Sequence, residues 1–256
     1  MSLFVETEGQ GPDLVLLHGW GLHGGIFDAI APQLVESFTL HRVDLPGHGR
    51  SPNLLGDYNL HTVAEAVLDS VPEQAHWLGW SLGGRVAMQA ALLAPQRIHR
   101  LIAVAASPRF LAAEQEDWPG VAPEILTGFA TGLENDYRKT LQQFLAIQAM
   151  GSERAKQEIR ILREGLFAHG EPVLAALRGA LGILQHADLR EELKQITCPT
   201  LFVAGERDRL MPVEAAQLAA AGMESARVEV IAAAGHAPFI SHPEPFIQTI
   251  RQFLDE

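Results

Sequence analysis

The 256-residue chain contains a single cysteine, Cys198. That excludes a disulfide within the chain and any zinc or iron–sulfur site built from several thiolates. One thiol is also what a reducing compartment permits, so a cytoplasmic protein is expected. Long apolar runs are missing as well. The longest, such as Leu14–Leu17 and Leu101–Ala106, fall far below the roughly 20 residues needed to span a bilayer, so no membrane segment is expected. Residues Met1 to Gln10 carry Glu6 and Glu8 and no basic segment leading into an apolar run, so no secretory leader is expected either. Positive charge is scarce. Nineteen Lys and Arg face 31 Asp and Glu, giving a net charge of −12. Neutralising a phosphate backbone requires a basic surface, so nucleic acid is an improbable partner. Averaged over the chain, the same arithmetic disfavours an acidic partner.

What is present is a repeating pattern. Short β-branched or leucine-rich runs recur at Leu14–Leu17, Phe38–Val43, Ala75–Trp80, Leu101–Ala105, Thr200–Ala204 and Arg227–Ile231. Continuous apolar runs of this length read as strands buried on both faces, as in a parallel sheet. Helical stretches over Leu60–Ser70 and Leu82–Leu93 connect strands, and Phe246–Leu254 closes the chain. The alternation predicts an α/β fold with a doubly wound, mostly parallel sheet.

Between Ser107 and Gln195 the alternation stops and only helical patterning remains. Leu133, Tyr137, Leu141, Phe144, Leu145 and Gln148 fall on one helix face, and Ile159, Leu162 and Leu166 on another. Pro119, Gly151 and the Gly170–Pro172 segment mark breaks. The expected organisation is a core made of residues 1–106 and 196–256, with residues 107–195 inserted as a helical lid.

Gly79-Trp80-Ser81-Leu82-Gly83 sits between an apolar run and a helix. A tight strand-to-helix turn presents its central hydroxyl at the sheet edge and leaves no room for side chains two positions to either side. A serine nucleophile needs a base, and the base needs an orienting acid. Asp208 follows the run ending at Ala204, and His236 follows the run ending at Ile231, in the chain order Ser, acid, His. Glu206 is a rival acid two residues from Asp208; Asp188 is a weaker one, since it follows a helix. Developing negative charge needs preorganised donors. Leu82 supplies one backbone N–H, and the His18-Gly19-Trp20-Gly21 turn a second, from Trp20; His18 itself reads as structural.

Other chemistries find no support. The Asp44–Ser51 turn lacks phosphate-loop spacing, and no GxGxxG follows the first strand, so no nucleotide cofactor is expected. His236 and His242 are six apart in a proline-containing loop, without the helical spacing of a metal pair, so no metal is expected.

Together these motifs resemble the α/β-hydrolase superfamily over essentially the whole chain. Leu14–Gly21 (LVLLHGWG), Phe38–Ser51 (FTLHRVDLPGHGRS), Trp77–Gly84 (WLGWSLGG), Phe144–Gly151 (FLAIQAMG) and Ala233–Pro243 (AAGHAPFISHP) are similar to its biotin-pathway carboxylesterase group. Trp80, the Asp117–Gly120 stretch and the histidine loop discriminate most. The resemblance implies hydrolysis of the methyl ester of a pimeloyl group carried by acyl-carrier protein, by a cytoplasmic monomer. It implies that Ser81 is the nucleophile, His236 the base, Asp208 its partner, and Trp20 and Leu82 the oxyanion hole. Trp80 and the stretch Phe144, Leu145, Ala146, Ile147 and Gln148 would join them in binding substrate. Lys139, Lys156 and Arg160 would dock the carrier, whereas Gln143 stands where the family pattern has an arginine.

The residues themselves give that docking face weaker support. Lys156, Arg160 and Arg163 share a helix face, and with Arg138, Lys139 and Arg154 they concentrate positive charge in residues 138–163. Against this, Glu153, Glu158 and Glu164 would neutralise a solvated face. Two other readings stand beside the first: a general short-chain carboxylesterase, and a non-catalytic ligand-binding protein on the same fold.

Overall fold

A computed structural model describes residues 2–256. Seven strands form one sheet: β1 (Val5–Gly9), β2 (Asp13–Leu17), β3 (Thr39–Val43), β4 (Ala75–Trp80), β5 (Ile98–Val104), β6 (Thr200–Gly205) and β7 (Ala226–Ile231), in the spatial order β1-β3-β2-β4-β5-β6-β7. All pairs are parallel except β1 with β3. Nine α-helices accompany them among the described residues: α1 (Ala31–Leu34), α2 (Leu60–Leu68), α3 (Leu82–Leu93), α4 (Pro123–Gln148), α5 (Ala155–Gly165), α6 (Leu174–His186), α7 (Val213–Ala221), α8 (Pro238–Ser241) and α9 (Pro243–Leu254).

The central strands are buried on both faces, as their unbroken apolar runs require. β7 departs from that expectation. It is an edge strand in which exposed and half-buried residues alternate, and Val230 faces solvent. β1, which sequence pattern did not reveal, is the opposite edge; its VETEG sequence has the mixed polarity an edge tolerates. The strand order reverses between β2 and β4, so the loops leaving their carboxyl ends diverge and open the crevice where such sheets bind ligands.

α4, α5 and α6 all lie in the segment between β5 and β6. The expected continuous stripe from Leu133 to Gln148 is interrupted, because Asp136 leaves helical geometry at φ −159°, ψ 90°. Its carboxylate accepts from the Lys139 N–H at 3.0 Å, restarting the helix as an N-cap. Leu133, Leu141, Phe144, Leu145 and Gln148 are nonetheless buried. Apolar side chains of these helices, Leu141, Phe144, Leu162 and Leu177 among them, belong to the same buried cluster as the sheet residues Leu14, Leu16 and Phe202.

One cation stitches the inserted segment to the core. Arg85 on α3 is 1% exposed. Its Nη2 donates to the Pro108 carbonyl at 3.1 Å and to the Ala187 carbonyl, which flank the segment's entry and exit. Burial lowers the guanidinium to about 10, while Asp188 nearby opposes that shift. Arg85→Ala should lower unfolding stability by about 2–4 kcal/mol in urea titrations, because the buried Pro108 carbonyl and the half-buried Ala187 carbonyl lose their donor. Arg85→Met, which refills the volume, should lose less. An unchanged midpoint for Arg85→Ala would show that the staple carries no load.

Candidate active site

Ser81 joins β4 to α3 with φ 55° and ψ −116°, a left-handed conformation that L residues avoid. The turn is feasible because of its glycines. A β-carbon at Gly79 would overlap the Gly83 carbonyl, and one at Gly83 would overlap the Leu17 carbonyl. The Ser81 N–H donates to the Val104 carbonyl at 2.9 Å, tying the turn to β5.

The structure brings the three expected side chains together from 155 residues of sequence. Ser81 Oγ lies 2.9 Å from His236 Nε2. His236 Nδ1 lies 2.7 Å from Asp208 Oδ2. Both the His236 and Asp208 side chains are fully buried. The other Asp208 oxygen accepts from the Leu210 and Met211 N–H groups at 2.8 and 3.0 Å. The carboxylate can therefore only accept from Nδ1–H, which leaves the Nε2 lone pair facing the serine hydroxyl. The two rival acids are engaged elsewhere. Glu206 accepts from the Ala233 N–H at 2.8 Å. Burial works to raise the Asp188 carboxyl, but hydrogen bonds from Arg190 and Arg109 outweigh it and hold it at about 2.

The His18–Gly21 turn passes directly over this serine: a β-carbon on Gly19 would sit 3.4 Å from that of Ser81. Among the described residues, the N–H groups of Trp20 and Leu82 have no protein acceptor. Leu82 begins α3, where the helix leaves its first donors open and its dipole favours negative charge. His18 is structural, as expected. Its Nδ1–H donates to the Gly19 carbonyl at 2.8 Å and its Nε2 accepts from the Leu45 N–H at 2.9 Å. Burial, reinforced by His48, lowers it to about 3. Beside it, the Asp44–Ser51 turn is knitted by an acid where a phosphate would need donors: Asp44 accepts from the Gly24 and Arg50 N–H groups at 2.7 and 2.9 Å.

The remaining expected site residues fall into three groups. Trp80 is fully buried and its indole N–H donates to the His236 carbonyl at 2.7 Å, so it props the histidine loop. Phe144 meets Trp20 edge-on at 4.8 Å, while the Trp20 indole donates to the Leu177 carbonyl at 2.9 Å. Leu145 and Gln148 are buried beside Phe144; Ala146 and Ile147 are half-buried, as helical periodicity requires of five consecutive residues. The Gln148 carbonyl accepts from the His236 N–H at 3.2 Å. Lys139, Lys156 and Arg160 are exposed and lie outside this cluster. Arg160 pairs with Glu164 at 3.7 Å and Arg138 with Glu171. Glu158 corrects the expectation that it neutralises that surface: it is completely buried, its carboxyl accepting from Ser152. Its even spacing from Lys156 and Arg160 on α5 gave no signal of this.

Among the described residues, no group of three or more His, Cys, Asp or Glu side chains is placed to hold a metal ion. Nor, among those residues, is any helix long and apolar enough to cross a membrane.

A serine on a strand-to-helix elbow, backed by a buried histidine and carboxylate on this sheet, has the arrangement of an α/β-hydrolase. The chain belongs to the alpha/beta hydrolase family, which residues 14–249 match. Among its relatives are the pimeloyl-[acyl-carrier protein] methyl ester esterases of Aeromonas hydrophila, 50% identical over 256 residues, and of Aeromonas salmonicida, 49% identical over 255. Each alignment covers 99% of this chain and 100% of the relative. The fold alone is shared with an esterase from Exiguobacterium antarcticum, at a TM-score of 0.86 and 23% identity, over 99% of this chain and 96% of that one.

The buried histidines make the fold acid-sensitive. His18 is lowered to about 3, and burial lowers His48 to about 4. Between these values and the ordinary 6.5 the unfolded chain binds protons that the folded chain does not, so stability rises with pH in this window and falls on acidification. The loss should approach about 1.4 kcal/mol per pH unit for each histidine. Denaturant titrations at pH 7 and pH 5 measure it. In proton NMR, the ring signals of His18 and His48 should not move between pH 5 and 8. Titration of either near 6.5 would refute the assignment.

Proposed function

We propose that this protein is a serine carboxylesterase that hydrolyses the methyl ester of a pimeloyl group borne on acyl-carrier protein, as a cytoplasmic monomer without metal or cofactor. The observation that carries this reading is the hydrogen-bonded array of Ser81, His236 and Asp208 at a strained elbow, in a chain about half identical, end to end, to esterases named for that substrate. The general short-chain esterase shares the chemistry and differs only in what the inserted helices recognise.

The mechanism follows from the geometry. His236 Nε2 removes the Ser81 proton as Oγ attacks the ester carbonyl. Asp208 holds the ring in the required tautomer and stabilises the imidazolium. The unpaired N–H groups of Trp20 and Leu82 receive the oxyanion. His236 then returns the proton to the departing methoxide, and methanol leaves. Water deprotonated by the same nitrogen attacks the acyl-enzyme, releasing the free acid and restoring Ser81. Trp20, Phe129 and Phe144 form one aromatic cluster, Phe144 meeting both others edge to face, an apolar wall suited to a methylene chain.

Carrier docking would use Lys139, Lys156 and Arg160. Lys139 and Lys156, with Arg163, have no carboxylate within 4 Å among the described residues, so their field is open to an acidic partner.

Ser81→Ala should abolish ester turnover and labelling by a serine-directed phosphonate while preserving the circular dichroism spectrum; normal labelling of that variant would refute the nucleophile. The wild-type chain should rescue a biotin-requiring strain that lacks its own esterase. Failure to rescue, with soluble expression and active hydrolysis of a chromogenic ester, would favour the general esterase. Lys156→Glu combined with Arg160→Glu should weaken carrier-linked turnover about tenfold or more at low salt, with the difference shrinking as salt rises. Small-ester hydrolysis should hold. Equal loss on both substrates would mean that these residues only support the helix.

A further inference from the structure

Glu158 is a buried acid that the mechanism does not use. It lies on α5, is 0% exposed, and accepts from the Ser152 hydroxyl through Oε1, while Oε2 has no hydrogen-bond partner. The ionisable groups acting on it are Asp208 from the loop after β6 and His236 from the loop after β7; the Ser241 hydroxyl of α8 also faces it. Among the described residues no Lys or Arg lies within ion-pair distance of its carboxyl. A bare carboxylate there would be buried without a cation and would add a like charge near Asp208. Burial, with a smaller push from Asp208, drives its pKa up, outweighing the Ser152 and Ser241 hydroxyls and His236, which favour the anion.

Around this acid the inserted segment is sewn to the histidine loop. The His236 N–H donates to the Gln148 carbonyl at 3.2 Å, and the Glu153 N–H donates to the Ala233 carbonyl at 3.2 Å. Ser152, whose hydroxyl meets Glu158, packs against Gly235 so closely that a β-carbon there would lie 3.2 Å from its own. The same Ser152 oxygen accepts from the Arg154 N–H at 3.1 Å, and the Ser241 hydroxyl donates to the Ala237 carbonyl at 3.3 Å. His242 Nδ1 lies 2.9 Å from the Ser241 hydroxyl.

We propose that Glu158, held as the neutral acid, is a positioning residue that locks segment 148–158 onto the loop carrying His236, so that seating the inserted helices and orienting the base are one event. The proposal rests on His236 being the base. Glu158 shares no hydrogen bond with Ser81 among the described residues; it acts through Ser152 and the backbone on either side of His236. Because folding raises its pKa, its contribution is full below the ordinary carboxyl range and is lost as pH rises through the raised value. Ionisation would loosen the lock and disorder the base on the alkaline side.

The test compares Glu158→Ala and Glu158→Gln with wild type on a chromogenic ester. Glu158→Ala should lower kcat about tenfold with KM nearly unchanged, and speed amide exchange in residues 233–237. Glu158→Gln, which cannot ionise, should recover most of kcat and extend activity further into alkaline pH. Infrared difference spectra should show a protonated carboxyl band at pH 7 in wild type that Glu158→Gln removes. Wild-type kcat in Glu158→Ala, loss in Glu158→Gln as deep as in Glu158→Ala, or absence of that band would each overturn the proposal. Phosphonate labelling of Ser81 in the same samples separates the two readings. If wild type does not label, the esterase reading fails, while exchange and infrared still decide the lock.

Discussion

At Ser81 the backbone leaves β4 and enters α3 through a conformation that costs of order 1–3 kcal/mol for a residue with a side chain. The neighbours that hold it there fix most of the site. Bonding to Val104 ties the turn to β5, and the missing side chains at Gly79 and Gly83 let it nest against β2. With the elbow so close to β2, the Gly19 turn lies over Ser81, and the Trp20 and Leu82 N–H groups open beside it. The strain is therefore carried by the neighbouring strands, and the hydroxyl so placed meets His236 Nε2 at 2.9 Å.

His236 is fixed from a different direction. Its ring is held by Asp208, which the Leu210 and Met211 amides hold in turn. Its backbone carbonyl is held by the Trp80 indole and its N–H by Gln148. The first of these backbone anchors is on the residue before Ser81, and the second is at the end of α4, inside the inserted segment. The histidine thus bridges the sheet and the insertion. With apolar side chains of both in one buried cluster, the insertion behaves less as an independent cap than as the far wall of the same core.

How much of this was legible follows from which interactions are local. The elbow was, because its glycines and serine are consecutive and lie between an apolar run and a helix. Asp208 and His236 could be named because each follows a strand of the central pattern. β1 was not visible, since an edge strand needs no apolar run, and the break at Asp136 hid inside an otherwise regular stripe because an aspartate looks the same on a solvated helix face as at a cap. Arg85 and Glu158 were illegible for a common reason. A single charge in a helix carries no sign of its partners, whether it stands alone among apolar residues, as Arg85 does, or among other charges, as Glu158 does; only packing reveals Arg85 beneath two carbonyls from opposite ends of an 80-residue excursion, or Glu158 under the histidine loop.

Net charge illustrates the same limit. A total of −12 describes the chain average and bears on nucleic acid, whose backbone presents charge over a long surface. A carrier protein meets only a small face, and screening confines what it feels to about 10 Å. On α5 that face is sharpened by burial. Removing Glu158 from the surface leaves Lys156 and Arg160 without one of the carboxylates that even spacing along the helix would have set between them. The same burial leaves the exposed side of α5 more positive than its composition suggests, so in the proposed role of Glu158 one residue would link the placement of His236 to the electrostatics of the outer face.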